Sequence, residues 1–189
     1  APDYGFDGII VYVDQAGKAP AWYTAGTHSR ETQEPARPDA LFKIASVSKL
    51  YTALAVTKLV SSGKLDLDQT LAHYFPELAD RIEYADQITL SMMVKHRSGI
   101  PNFTDTYMYW ALILDQPAAF APDTQYAYSN TNYLLLHELI KKVTGQTSFY
   151  TIKKEILEPL NLNNTYGSIH DVELDRVMSG YYVGYEQDL

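Results

Sequence analysis

The sequence has 189 residues and a formal charge of −8, a balance that argues against binding to a nucleic-acid phosphate backbone. With 46% hydrophobic and only 20% charged residues it has enough apolar surface to fold as one domain or two small ones, which argues against intrinsic disorder. The absence of cysteine removes disulfide frameworks, thiolate zinc sites, iron–sulfur clusters and cysteine nucleophiles together.

The longest purely apolar stretches, Ile9 to Val13 and Trp110 to Leu114, are far shorter than the roughly 20 residues a membrane-spanning helix needs. The first residues, Ala1-Pro2-Asp3-Tyr4, carry neither an initiator methionine nor a basic and apolar leader, so the expectation is an export signal that has been removed or was never present. N-x-T sequons stand at Asn102 and Asn163, but patterns this short arise by chance.

The chain opens on strand signals. Gly8 to Val13 is β-branched and apolar, Gln15 to Lys18 is a turn, and Ala21 to Ala25 is a second strand candidate, so a hairpin is predicted. Thr27 to Asp39 is polar, contains Pro35 and Pro38, and reads as an exposed connection. From Ser46 to Ser62 the pattern turns helical, with Val47, Leu50, Leu54, Leu59 and Val60 as its apolar positions and Gly63 at the place of a left-handed cap. Thr89 can cap a short helix ending near Arg97, stopped by Gly99 and Pro101. Asn132 to Thr144 sets Tyr133, Leu136, Ile140 and Val143 on one face before Gly145. A last helix spans about Ser148 to Leu157, presenting Phe149, Ile152 and Ile156, and Pro159 closes it. Ser179 to Tyr185 reads as a new extended element. Two strands and a mostly helical body follow from this order, and a lone hairpin is marginal in water without a larger sheet or covering helices.

Ser46-Val47-Ser48-Lys49 places a hydroxyl and an amine three residues apart on one helical face, the geometry of an activated serine. Chance alone supplies roughly 0.6 such S-x-x-K patterns in this composition, and a second copy does occur at Ser61 and Lys64. Position separates the two. Ser46 opens its helix, where unpaired N–H groups and the positive end of the dipole favour developing negative charge. Ser61 lies at the carbonyl end and reads as an ordinary exposed residue. Tyr128-Ser129-Asn130 joins a phenol that can move protons to a carboxamide that can hold an amide, with a helix cap and a core tyrosine as the plainer reading. The five histidines, His28, His73, His96, His137 and His170, show no paired metal spacing and read as structural or surface residues. Asp66, Asp68 and Glu77 read as solvated charges, and packing accounts for most of the 16 tyrosines.

Taken together, Leu41 to Lys49, Gly63 to Asp68, Ile88 to Leu90, His96-Arg97-Ser98-Gly99-Ile100-Pro101, Tyr126 to Tyr133, Val143 to Gln146 and Ile156 to Leu162 resemble the penicillin-recognising serine hydrolases, in their class C β-lactamase and D-alanyl-D-alanine carboxypeptidase branch. The resemblance runs from Gly8 to Tyr182. It implies an α/β (α+β) fold of the β-lactamase/transpeptidase type: first sheet strands and a loop over residues 1–45, a nucleophile helix and helical subdomain over 46–170, and a return segment over 171–189. It implies that Ser46 attacks a β-lactam, D-Ala-D-Ala peptide or ester carbonyl, that Lys49 and Tyr128 share the proton relay, that Asn130 orients the acyl amide, and that the Ser46 N–H is one oxyanion donor. No cofactor and no metal are implied, and the compartment would be periplasmic or secreted. A catalytically silent member acting as a binding module is the alternative.

Two departures from the family pattern stand out. Asp123 follows Pro122 where the family usually has glycine, so that turn is expected to be reshaped. The family's K-T-G or H-x-G strand motif is absent, so the C-terminal half of the domain is expected from elsewhere, including a separate chain, and the 189 residues alone are expected to turn over little substrate. From their ordinary pKa values, making Lys49 or Tyr128 a base at pH 7 costs about 4 kcal/mol unless the site shifts it.

Overall fold

Gly8–Val13 and Ala21–Gly26 pair as the antiparallel strands β1 and β2, with Gly8 opposite Gly26 and Val13 opposite Ala21. The hairpin is where the β-branched run predicts it, and the Lys18 amide closes its turn on the Gln15 carbonyl at 3.0 Å. Tyr12 and Trp22 face each other across the pair with ring centroids 4.6 Å apart. The computed structural model describes residues 6–103 and 113–181. These divide into two compact units, one made of residues up to Ile44 together with those from Asn164 on, the other of Ala45–Asn163.

In the first unit, the hairpin is followed by the connection predicted to be exposed. It is more anchored than its polarity suggests. His28 and Ala36 are buried, Thr27 bridges Pro35, and the His28 Nε2 lies 3.1 Å from the Asp175 carbonyl. Leu41 and Val177 form a parallel bridge, joined by Leu41 N to Arg176 O and Met178 N to Leu41 O. Of the extended element expected over Ser179 to Tyr185, Ser179 to Tyr181 adopt no strand, and the rest lies outside the described residues.

The second unit holds the core. A 3-10 turn, Ala45–Val47, leads into α1 (Ser48–Ser61), which ends where Gly63 takes φ +71°. Then come α2 (Leu71–Tyr74), α3 (Leu90–Val94), α4 (Asn130–Thr144) and α5 (Ser148–Ile152), the last continuing as one wide turn through Lys153–Leu157. Thr89 caps α3 as predicted, its hydroxyl accepting from the Met92 amide. Gly145 closes α4 in the left-handed conformation, and Thr147 caps α5. Tyr133, Leu136 and Ile140 are buried on α4 as their spacing requires, joined by Leu135 and Leu139, so α4 is covered on a wider arc than one stripe. No described helix is long and apolar enough to cross a membrane.

The apolar positions expected on α1 divide: Leu59 is buried and Val60 packs against the core. On α1 the buried residues are Thr52, Ala55, Val56 and Leu59, whereas Val47, Leu50 and Leu54 are exposed. Small Ala55 is fully buried where α1 packs against α4 and α5.

Candidate active site

Three elements of the second unit converge on Ser46. The residue sits in the 3-10 turn directly before α1, and Val47, a poor capping residue, leaves the first turn of α1 with no side-chain cap. The helix therefore presents its N–H groups and positive dipole end beside an exposed serine, as its position in the sequence predicts. Ala45, immediately before it, is held at φ +44°, a conformation that costs a non-glycine residue on the order of 1–3 kcal/mol and that marks sites where the chain is forced to aim a side chain.

One turn into the helix, Lys49 Nζ donates to Ser46 Oγ at 3.1 Å. From the loop before α4, the Tyr128 hydroxyl lies 2.7 Å from the same Oγ. The ammonium of Lys49 also stands over the Tyr128 ring, 4.9 Å from its centroid, and 5.6 Å from that of Tyr133. Among the described residues Lys49 forms no salt bridge. Burial pushes the Tyr128 phenol up, but hydrogen bonds with Lys49 and Ser46, with the charge of Lys49, outweigh it and hold the phenol below its ordinary value. Tyr128 is 42% exposed, so the plainer reading of a core tyrosine does not hold.

Asn130 does not cap α4 with its side chain. It is the first residue of that helix, Ser129 is the N-cap, and the Asn130 amide donates to Asn102 Oδ1 at 2.7 Å. It is partly exposed, two residues along the chain from Tyr128. Ser61, the other serine of an S-x-x-K pattern, is exposed at the far end of α1 and donates to the Thr57 carbonyl.

Two of the segments that carry the resemblance hold this arrangement. The turn from His96 to Phe103 is laced to the segment from Asp123 to Asn132. Asp123 N donates to Arg97 O, Ala127 N to His96 O, Ser129 N to His96 Nδ1, and the Thr131 hydroxyl to Pro101 O at 2.7 Å. Inside the fold, the buried Ser98 hydroxyl donates to Asn132 Oδ1, also at 2.7 Å. Asp123 takes φ +61°, so the position where glycine is usual keeps the left-handed backbone, and the Arg97 guanidinium holds it through both its carboxylate and its carbonyl. The expected reshaping of that turn is an added ion pair, not a change of backbone region. His96 was the residue to find: the His96-Arg97-Ser98-Gly99 turn is the signal that sets it apart from the other histidines. Among the described residues no cluster of His, Cys, Asp or Glu is placed to hold a metal ion.

Comparison with known proteins places this arrangement. The sequence model of the family described as "Beta-lactamase" matches residues 3–187. A β-lactamase of Pseudomonas fluorescens is 29% identical over 186 residues, covering 92% of this chain and 49% of that protein. Penicillin-binding protein 4 of Amycolatopsis lactamdurans is 30% identical over 151 residues, covering 75% of this chain and 40% of that protein. Among solved structures, D-amino acid amidase from Ochrobactrum anthropi SV3, complexed with L-phenylalanine, superposes with a TM-score of 0.84 at 26% identity, covering 100% of this chain and 55% of that one. The chain thus spans about half the length of the curated relatives it matches.

Proposed function

Starting from a chain that belongs to the β-lactamase family of serine hydrolases, with that family's mixed helix-and-sheet fold, we propose that Ser46 is the nucleophile of an acyl-enzyme mechanism of the class C β-lactamase type. Its substrates would be β-lactams, D-Ala-D-Ala peptides or related amides and esters. The observation that carries the reading is the unbroken contact chain Lys49 Nζ, Ser46 Oγ, Tyr128 OH, at 3.1 and 2.7 Å.

Those contacts give the serine proton a route. Lys49 donates to Ser46 Oγ, and either oxygen can be the donor in the Ser46–Tyr128 contact; in the proposed mechanism the serine is the donor, to an ionised Tyr128. A phenolate at Tyr128 takes that proton as Oγ bonds to the substrate carbonyl carbon, and the carbonyl π pair moves onto oxygen, where the Ser46 N–H and the open end of α1 favour the negative charge. Collapse expels the leaving nitrogen or oxygen, which receives a proton back through Tyr128 and Lys49. Water then resolves the ester, with the same pair acting in reverse. Asn130, beside Tyr128, is assigned to the acyl amide. The printed names of the relatives, a β-lactamase, a penicillin-binding protein and a D-amino acid amidase, support acyl transfer at amide carbonyls as the shared chemistry. A compartment outside the cytoplasm is part of the same reading.

The test is covalent labelling of the full-length protein, with its C-terminal half present, by a fluorescent penicillin and by an activated ester, read by intact mass. One acyl group on Ser46, lost in Ser46→Ala, is expected. Labelling that survives Ser46→Ala, or that never occurs with either probe, overturns the reading and leaves the silent binding module in its place.

A further inference from the structure

His96 is set apart from the other histidines by what it touches. It stands at φ +57°, a region that a residue of its size enters only where its surroundings hold it. From there it takes hold of the chain on both sides of Tyr128: its carbonyl accepts from Ala127 N at 3.0 Å and its Nδ1 accepts from Ser129 N at 3.1 Å. Its ring lies against the Tyr128 ring, with centroids 4.7 Å apart and planes tilted by 32°, and against Tyr133 on α4 at 5.1 Å. The N–H groups of the residues on either side of the tyrosine, and one face of its ring, are therefore held by a single side chain and its own carbonyl.

We propose that His96 is a positioning residue that fixes the Tyr128 phenol against Ser46, acting as a neutral imidazole whose Nδ1 lone pair accepts the Ser129 amide proton. The tautomer follows from the bond: an amide N–H at Nδ1 needs a lone pair there, so the ring proton sits on Nε2. The groups around the ring fit a neutral form. Burial and, after it, the positive charge of Lys49 hold the imidazole below its ordinary pKa. A charged ring would lose the Ser129 bond and set a second cation beside Lys49.

This rests on the assignment of Tyr128 to the proton relay, and the experiment keeps the two apart. Two variants separate ring from acceptor. His96→Asn keeps an acceptor oxygen where Nδ1 stands and tolerates a positive φ, whereas His96→Phe keeps the ring and removes the acceptor. Three readings are taken: the 15N shifts of the His96 ring near pH 7.5, the ionisation of Tyr128 followed with 13Cζ-tyrosine, and the labelling rate of Ser46.

The expected result is an unprotonated Nδ1 and a protonated Nε2. In His96→Phe the Tyr128 titration should move up towards the ordinary tyrosine value and labelling should slow about tenfold to a hundredfold, the scale of a small misplacement of a reacting group. His96→Asn should restore the parent titration and most of the rate. A proton on Nδ1, a parent-like Tyr128 titration in His96→Phe, or a His96→Asn that behaves no better than His96→Phe overturns the proposal. If His96→Phe does not fold, the tautomer and the His96→Asn titration decide it. A parent protein that gives the expected tautomer and tyrosine titration but never labels keeps the positioning role and refutes the hydrolase reading instead.

Discussion

The Ser46 hydroxyl and the Tyr128 phenol meet at 2.7 Å across 82 residues of sequence, and Lys49 reaches the same serine oxygen from within one helical turn. Each motif alone is close to a chance pattern. Their meeting is not a property of either segment, because it depends on α4 being held where its N-terminal loop can reach the start of α1. That holding is done by the interior. Thr52, Ala55, Val56 and Leu59 of α1, with Leu135, Leu136, Leu139 and Ile140 of α4, belong to one buried cluster, apart from Thr52, whose hydroxyl contacts His137 of α4 at 3.0 Å.

The contact makes Tyr128 the most informative tyrosine to titrate. Burial raises its phenol, while hydrogen bonds with Lys49 and Ser46, together with the charge of Lys49, lower it further than burial raises it. Removing the amine in Lys49→Met leaves the burial and deletes the largest opposing cause, the Lys49 hydrogen bond, together with its charge. Tyr128 should then ionise at higher pH than in the parent, measured by 13Cζ chemical shift. Ser46→Ala, which removes only one hydrogen bond, should move it less. Equal titrations in the parent and Lys49→Met would detach the phenol from the amine.

A second prediction concerns acid. The imidazoles of His96 and His137 both sit below the ordinary value of 6.5. Burial is the larger cause in each; Lys49 adds to it, while Glu138 opposes it at His137. A base with a depressed folded pKa binds its proton in the unfolded chain first. Stability is therefore fully present above about pH 6.5 and is lost as the pH falls from there through the folded pKa values. The melting temperature should drop over that interval, before most carboxylates titrate. His137→Gln, which can still bond the Thr52 and Ser148 hydroxyls, should remove part of the drop. A melting temperature flat from pH 7.5 to pH 5 would contradict it.

What the sequence made legible divides along physical lines. Local signals hold: the hairpin, the Thr89 cap, the left-handed glycines after α1 and α4, and the reach from Lys49 to Ser46 all depend on neighbours a few residues away. On α1 the expected apolar positions divide: Leu59 is buried and Val60 packs against the core, joined by residues the pattern does not mark. Ala55 and Thr52 go inside while Leu50 and Val47, each about 60% exposed, stay outside. The three side chains that meet at Ser46 Oγ were readable as motifs, but the scaffold around them was not. Nothing in the spacing of His96, Asn102 and Ser98 says that each will bond a group between Tyr128 and Asn132, since those bonds join segments about thirty residues apart.

Asp123 gives a third prediction, a ranking. Its φ of +61° favours glycine, and its side chain pairs with Arg97 at the surface, where the two are 37% and 60% exposed. An exposed pair contributes about 0–1 kcal/mol, and relief of left-handed strain is of similar size. Asp123→Gly loses one and gains the other, keeps its backbone bonds with Arg97, and should lie within about 1 kcal/mol of the parent. Asp123→Ala loses the pair and keeps the strain, so it should be the less stable of the two in urea unfolding. The reverse order would show that the side chain of Asp123 carries more than a surface ion pair.

The last prediction isolates a steric term in the turn that supports Tyr128. Gly63 and Gly99 both have positive φ, +71° and +77°, so each resists an L side chain through its backbone. Their surroundings differ. A Cβ at Gly63 meets nothing within 4 Å, whereas one at Gly99 would stand 2.1 Å from the Phe120 carbonyl oxygen, and this same glycine's carbonyl accepts from Ala119 N. Gly63→Ala should therefore cost about 1 kcal/mol, the left-handed penalty alone. Gly99→Ala adds displacement of a backbone carbonyl and should cost about 3 kcal/mol or more. Because Gly99 lies between His96 and Asn102, the shift should also reach Tyr128. Gly99→Ala should raise the tyrosine titration at temperatures where the variant is still folded, while Gly63→Ala leaves it at the parent value. Equal costs for the two substitutions would mean that the turn yields without strain and does not brace the phenol.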